Sequence, residues 1–258
     1  MAKPALASDV MIKTPDGSCD AVLTYPDGGG SWPGVILYPD ALGLRPLMRE
    51  MARRLADEGL CVLTVNQFYR STRPPVLPAN FSFQNKDDLA KLGELRTPLT
   101  HEAVTRDARA FVSFLDAQRA VRTSAPLGTV GYCMGGPMTF RAAAAAPERI
   151  GAGASFHGGM LVTDQPTSPH RLLGSIKAQY YVGIAANDDE REPHAKTELA
   201  RAFAAAAIPA RMEVYPGTLH GWCIRDMPPG PGGVQIYDEE QAEIAWGELT
   251  SLFRRVLI

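Results

Sequence analysis

The sequence predicts an α/β protein built on a mostly parallel central sheet with helices on both faces. Three observations carry the prediction. From residue 34 onward, short apolar runs alternate with longer stretches whose apolar residues recur every three or four positions, the order expected of parallel strands joined by helical crossovers. The short runs are apolar without interruption, Val35-Ile36-Leu37-Tyr38 foremost, as strands buried on both faces are. A chain of 258 residues with 45% hydrophobic content can bury a sizeable core, and no repeat divides it, so the expectation is a single domain over 1–258.

In order along the chain, residues 9–13, 19–25 and 34–38 are strand candidates separated by Pro15-Asp16-Gly17 and Gly28-Gly29-Gly30 turns, the first two pairing as an antiparallel hairpin. The loop Pro39-Asp40-Ala41-Leu42-Gly43 leads to a helix over 46–58, where Leu47, Met51 and Leu55 fall on one face and Arg45, Arg49, Arg53 and Arg54 read mostly as its solvated side. Residues 61–66 form the next buried-type strand. The proline-rich stretch 67–98 then reads as a long irregular connection, a lid candidate. A strong helix follows over 99–119 with the stripe Val104, Ala108, Phe111 and Leu115. Strands are expected at 126–130, 152–156, 179–184 and 211–215, and helices at 137–146 and 193–206. Asp238 caps a closing helix with the stripe Ala242, Ala245, Leu249, Leu252 and Val256.

Bulk properties exclude several functions. A formal net charge of −2 offers no nucleic-acid or membrane surface. No apolar run approaches spanning length, and residues 1–10 lack the apolar region of a signal peptide. Cys19, Cys61, Cys133 and Cys223 are widely spaced with no Cys-x-x-Cys, which argues for reduced thiols in a cytoplasmic protein and against a disulfide framework or a metal site.

Chemistry concentrates at Gly131-Tyr132-Cys133-Met134-Gly135-Gly136, a strand, a Gly-x-nucleophile-x-Gly turn and a helix. Presenting a side chain on so sharp a turn strains the backbone and requires small neighbours, while the helix start favours a thiolate and a developing oxyanion. An ordinary buried Cys beside a Gly-rich turn is the bland alternative. A nucleophile needs a base, and in open α/β sheets the site lies past the carboxyl ends of the strands. His101, His170 and His194 follow no such end and read as surface residues. His157 and His220 both do, but only His220 leaves room for an acid between nucleophile and base, so His157 reads as a wall residue or as one that backs a residue of the site. The acid is expected just past residue 184: Asp188 is the first choice, with Asp189 its competitor and a solvated helix start the bland reading of either. An oxyanion hole would use the backbone N–H groups of Met134 and Ala41. Asp40, beside that hole, is either a turn cap or a group that hydrogen-bonds the resting thiol.

Taken together, Gly131-Tyr132-Cys133-Met134-Gly135-Gly136, Asp188 and Leu219-His220-Gly221 resemble the dienelactone hydrolase family of α/β-hydrolases, over about residues 33–257. The resemblance implies an α/β-hydrolase fold, a Cys-His-Asp triad of Cys133, His220 and Asp188, no cofactor, and small esters or lactones as substrates, in a monomer or homodimer. The family's founding enzymes carry a Glu where Asp40 stands, tyrosines where Phe156-His157 stands, and arginines that hold a substrate carboxylate; Arg70 and Arg225 lie near the expected places. Asp40, Arg70, His157, Trp222 and Arg225 are therefore the expected substrate-binding set. Glutamine amidotransferases and the protease/glyoxalase type of Cys protein also place Cys at an elbow. The former want His-x-Glu downstream and the latter a His directly after the Cys, and this sequence has neither. A reactive-thiol sensor or a binding module on a hydrolase fold is the non-enzymatic alternative.

Overall fold

The computed structural model describes residues 5–258. The first four residues of the stretch expected to lack a leader lie outside the described residues. Eight strands form one sheet in the order β1-β2-β4-β3-β5-β6-β7-β8. β1 (Leu6–Thr14) and β2 (Gly17–Tyr25) are the expected antiparallel hairpin, and β2 also pairs antiparallel with β4 (Cys61–Val65). From β4 outward the pairing is parallel through β3 (Gly34–Tyr38), β5 (Leu127–Tyr132), β6 (Ile150–Phe156), β7 (Gln179–Ala185) and β8 (Ala210–Tyr215). Successive side chains of a strand point to opposite faces, and β3 divides its residues accordingly. Ile36 and Tyr38 join a core with Val104, Ala108 and Phe111, which belong to α3 (His101–Asp116), and with Phe140 of α4 (Gly135–Ala145). Val35 and Leu37 join the opposite core with α1 (Pro46–Asp57) and α7 (Glu239–Val256).

The strand order places the site. After β3 the chain crosses to β4 on one side, and after β5 it crosses to β6 on the other. Loops leaving two neighbouring parallel strands in opposite directions open a crevice at their carboxyl ends. The loops after β3 and β5 are those that carry Ala41 and Cys133.

Two elements differ from expectation. The connection 67–98 contains α2 (Lys86–Arg96), started by Asn85, whose side chain accepts from the N–H groups of Asp87 and Asp88. α2 buries only Leu92 and Leu95, which join Phe68, Val76, Phe81 and Ala41 in a small third core above the strand ends. The acid-rich segment after β7 is helical as well, α5 (Ala186–Arg191), ahead of α6 (Ala195–Ala205). α3 begins at His101 because the Thr100 hydroxyl accepts from the N–H of Ala103. Among the described residues no helix is long and apolar enough to cross a membrane.

Candidate active site

The turn after β5 shows why its sequence is glycine-rich. A Cβ on Gly131 would lie 2.1 Å from the Gly135 carbonyl oxygen, and one on Gly135 would lie 2.4 Å from that of Tyr38. Backbone therefore packs on backbone on both sides of Cys133, and Cys133 itself is held at φ 52°, in the left-handed region. Its N–H donates to Phe156 O, and its carbonyl accepts from Gly136 N–H, so both bonds pin the strained residue. The thiol is left half-buried in the wall of a cavity of about 630 Å³.

His220 reaches this thiol from the loop after β8. Its Nε2 lies 3.1 Å from Cys133 Sγ and its Nδ1 2.7 Å from Asp188 Oδ2. The loop is tied to α5 by His220 N–H donating to Asn187 Oδ1 at 2.8 Å. The other oxygen of Asp188 accepts from Arg191 at 2.6 Å. Asp189 faces away and pairs with Lys196 at 3.0 Å. Burial opposes a charged imidazole, but the hydrogen bonds to Asp188 and to the thiol outweigh it and push His220 up to about 10.

The N–H groups of Ala41 and Met134 have no acceptor among the described residues, and both residues line the cavity. Leu42 N–H, by contrast, donates to Asp40 Oδ1 at 2.8 Å. That bond settles which of two expectations describes Asp40. The carboxylate is fully buried, caps its own turn, and receives both terminal nitrogens of Arg45 at 2.8 and 2.9 Å. No bond joins it to Cys133. Arg45 is thus not part of the solvated face expected of its helix. It stands ahead of α1 and bridges Asp40 to Asp226.

The four other residues of the expected substrate-binding set do not line the cavity. Arg70 is held by Asp107 and Asp16, beside β1 and α3. Arg225 pairs with Glu50 on α1, where it lines a separate small cleft. Trp222 is fully buried against Tyr215. His157 is 1% exposed, at φ 39°, with its ring edge-on to His220 at 4.9 Å between centroids. Neither of its ring nitrogens has a partner among the described residues. Burial first, and then the charge of His220, hold His157 well below the usual imidazole range.

Two charged wall residues were not singled out in the sequence, Arg96 of α2 and Arg141. Arg141, on α4, lines the cavity and is 6% exposed. The signal was available: it is the one charged residue in the run 137–146, which is otherwise apolar but for Thr139.

As to donors for a metal, Cys133, His157 and His220 place one ligand atom each within 4.8 Å of one another. The hydrogen-bonded pairing of His220 with both Asp188 and the thiol accounts for two of the three without an ion.

Comparison with known proteins agrees with this geometry. The protein named "Putative carboxymethylenebutenolidase" of Methylorubrum extorquens AM1 is 26% identical over 255 residues, 97% of this chain and 81% of its own length. Among solved structures, a dienelactone hydrolase-like promiscuous phosphotriesterase from metagenomic libraries superposes with a TM-score of 0.81 at 21% identity, over 99% of this chain and all of its own. An acylaminoacyl peptidase of Pyrococcus horikoshii shares the fold at a TM-score of 0.70 and 14% identity, this chain matching 99% of its own length and 42% of that one. The sheet is that of the α/β-hydrolases. The model of the dienelactone hydrolase family matches residues 19–257, the span that carries the Cys133 turn, Asp188 and His220, and the chain belongs to that family.

Proposed function

We propose that the protein hydrolyses small carboxylic esters or lactones through an acyl-enzyme on Cys133. One observation supports this above the others: His220 is bonded through one ring nitrogen to Asp188 and through the other to the thiol in the wall of a cavity. With His220 pushed up to about 10, the imidazole is protonated at neutral pH and donates on both sides, which stabilises a Cys133 thiolate.

The steps then balance. The thiolate attacks the carbonyl carbon, and the charge moves to the carbonyl oxygen, facing the N–H groups of Met134 and Ala41. Collapse breaks the acyl–oxygen bond, and the leaving alkoxide takes the Nε2 proton of His220. The neutral imidazole next takes a proton from water as the hydroxyl adds to the thioester. Release of the carboxylic acid returns the thiolate–imidazolium pair. Asp188 fixes the imidazole tautomer throughout. A thiolate is a good leaving group, so activated esters and enol-lactones are favoured over amides.

Replacing Cys133 with Ala is expected to abolish cleavage of p-nitrophenyl esters with the circular dichroism spectrum intact. An unchanged rate would sink the proposal. A wild-type protein alkylated at Cys133 by iodoacetamide that cleaves no ester or lactone would favour the thiol-sensor reading instead.

A further inference from the structure

Arg141 has the surroundings of a ligand-binding cation rather than those of a structural one. Buried arginines are ordinarily paired, because an uncompensated guanidinium away from water is costly. Among the described residues Arg141 makes one hydrogen bond, from one terminal nitrogen to the Thr167 carbonyl at 2.9 Å. Among the described residues no carboxylate stands within ion-pair distance of it. Glu102 acts on it only from farther away, and the Glu102 carboxylate is occupied at the start of α3 by Thr100 and its own N–H. Burial holds the Arg141 guanidinium below its usual value, the direction expected of a cation short of partners.

The cavity around it is built for one sign of charge. Among the described residues no Asp or Glu lines it, whereas Arg96, Arg141 and His220 do. Between Cys133 and Arg141 the wall is apolar, with Leu92, Leu99, Val104, Pro137 and Met138. A low-dielectric channel lined by cations concentrates anions.

Covalent geometry sets the spacing. The backbone of α4 rises about 9 Å from Gly135 to Arg141 at 1.5 Å per residue, and the arginine side chain leans back toward the start of the helix, so along the axis about 9 Å is the upper limit of the guanidinium's distance from that end. An extended chain of up to roughly seven carbon atoms covers that distance. The arginines expected from the family resemblance, Arg70 and Arg225, do not reach the cavity.

We propose that the site selects acyl groups with an apolar body of up to about seven carbons ending in an anion, which Arg141 binds while the carbonyl sits at Cys133. This rests on the ester-hydrolase reading above. The acyl part is the part concerned, because it stays attached to Cys133 through both steps. A terminal carboxylate and a terminal phosphate or sulfate share the chemistry, since each offers oxygens to a guanidinium.

The test compares p-nitrophenyl monoesters of the four-, eight- and twelve-carbon straight-chain diacids with p-nitrophenyl alkanoates of the same lengths. A terminal sulfate on the eight-carbon acyl chain separates a carboxylate requirement from a general anion requirement. For the wild type, kcat/KM is expected to favour the eight-carbon diacid ester over the octanoate by about tenfold or more, from one charge-assisted hydrogen bond, with no such preference at twelve carbons. In Arg141→Met that ratio should fall to about one. The ratio compares two substrates on one enzyme, so a variant with less folded protein moves both rates and leaves it alone. Neutral esters cleaved as well as anionic ones at every length overturn the proposal and leave the hydrolase reading standing, as does an unchanged ratio in Arg141→Met. If no ester is cleaved, the hydrolase reading fails, and protection of Cys133 from iodoacetamide by octanedioate, but not by octanediol, still decides for or against the anion site. That wild-type measurement also decides it if Arg141→Met does not fold.

Discussion

Asp188→Asn is the sharpest perturbation, because the structure fixes which way the new amide must turn. Asp188 has two oxygens with different partners: Oδ1 accepts from Arg191 at 2.6 Å and Oδ2 meets His220 Nδ1 at 2.7 Å. Arg191 can only donate, so the amide oxygen stays with it and the amide NH2 faces the imidazole. Nδ1 then has to accept, and the remaining proton moves to Nε2, against the thiol. A neutral imidazole in that tautomer cannot take a proton from water in the second step. The charge that raised His220 to about 10 is lost as well, and removing one close opposite charge lowers such a group by about 1–3 units. The matching substitution in a serine triad costs about 10⁴ in kcat, and a thiolate, less dependent on its base, should lose on the order of 10²–10³. The assay is kcat/KM on a p-nitrophenyl ester from pH 5 to 10, run beside Asp189→Asn. Among the described residues Asp189 pairs with Lys196 alone, a partly exposed side chain, so its variant should stay within about threefold of wild type and lose under 1 kcal/mol of stability. Full activity in Asp188→Asn, or an equal loss in Asp189→Asn, would refute the reasoning.

Other outcomes follow from residues outside the proposed triad. Arg45→Met leaves the Asp40 carboxylate buried and unpaired, so urea denaturation should show a loss of about 3–5 kcal/mol; Asp226→Asn, at the exposed end of the same bridge, should cost under 1 kcal/mol. Gly135→Ala forces a methyl to 2.4 Å from the Tyr38 carbonyl oxygen, where only backbone can yield, and a loss of at least about 2 kcal/mol is expected in the same measurement. His157 sits below its unfolded value, so the unfolded chain takes up that proton first: its contribution is intact above about pH 6.5 and falls by up to about 1.4 kcal/mol per unit below it. His157→Asn, which suits a positive φ, should flatten stability between pH 6.5 and 5, and a slope identical to wild type would remove His157 as its source.

Much of this site could be read before any coordinates, and the residues show why. The Cys133 turn is local: strand, small residues and helix lie within one short segment, and their spacing encodes the geometry. The helices that bury full stripes, α1, α3 and α7, were legible by the same logic, since packing on the sheet requires apolar residues on one face. α2 was hidden because it buries only Leu92 and Leu95, carries Gly93 inside, and follows a proline-rich stretch. α5 buries nothing at all and is six residues long. Pairings between distant residues were hidden for a different reason. Arg45 reads as surface from its helix position, and nothing near it in sequence announces Asp226, 181 residues later. Arg70 and Arg225 lie at plausible sequence positions for reaching the site, yet each is captured by a carboxylate on another element.

The helix that follows Cys133 also carries Arg141, and that shared mounting has a consequence for tuning. Cys133 stands in the turn that opens this helix, and backbone contacts pin that turn on both sides, so the thiol and the helix keep their separation when the surroundings rearrange. Exchanges in α2 or in the loop 159–170 can loosen or tighten the grip on a bound chain without changing which chain length fits. Altering the length itself would take a register change, moving the cation by a whole turn along α4, so substrate preference here should shift in steps rather than drift.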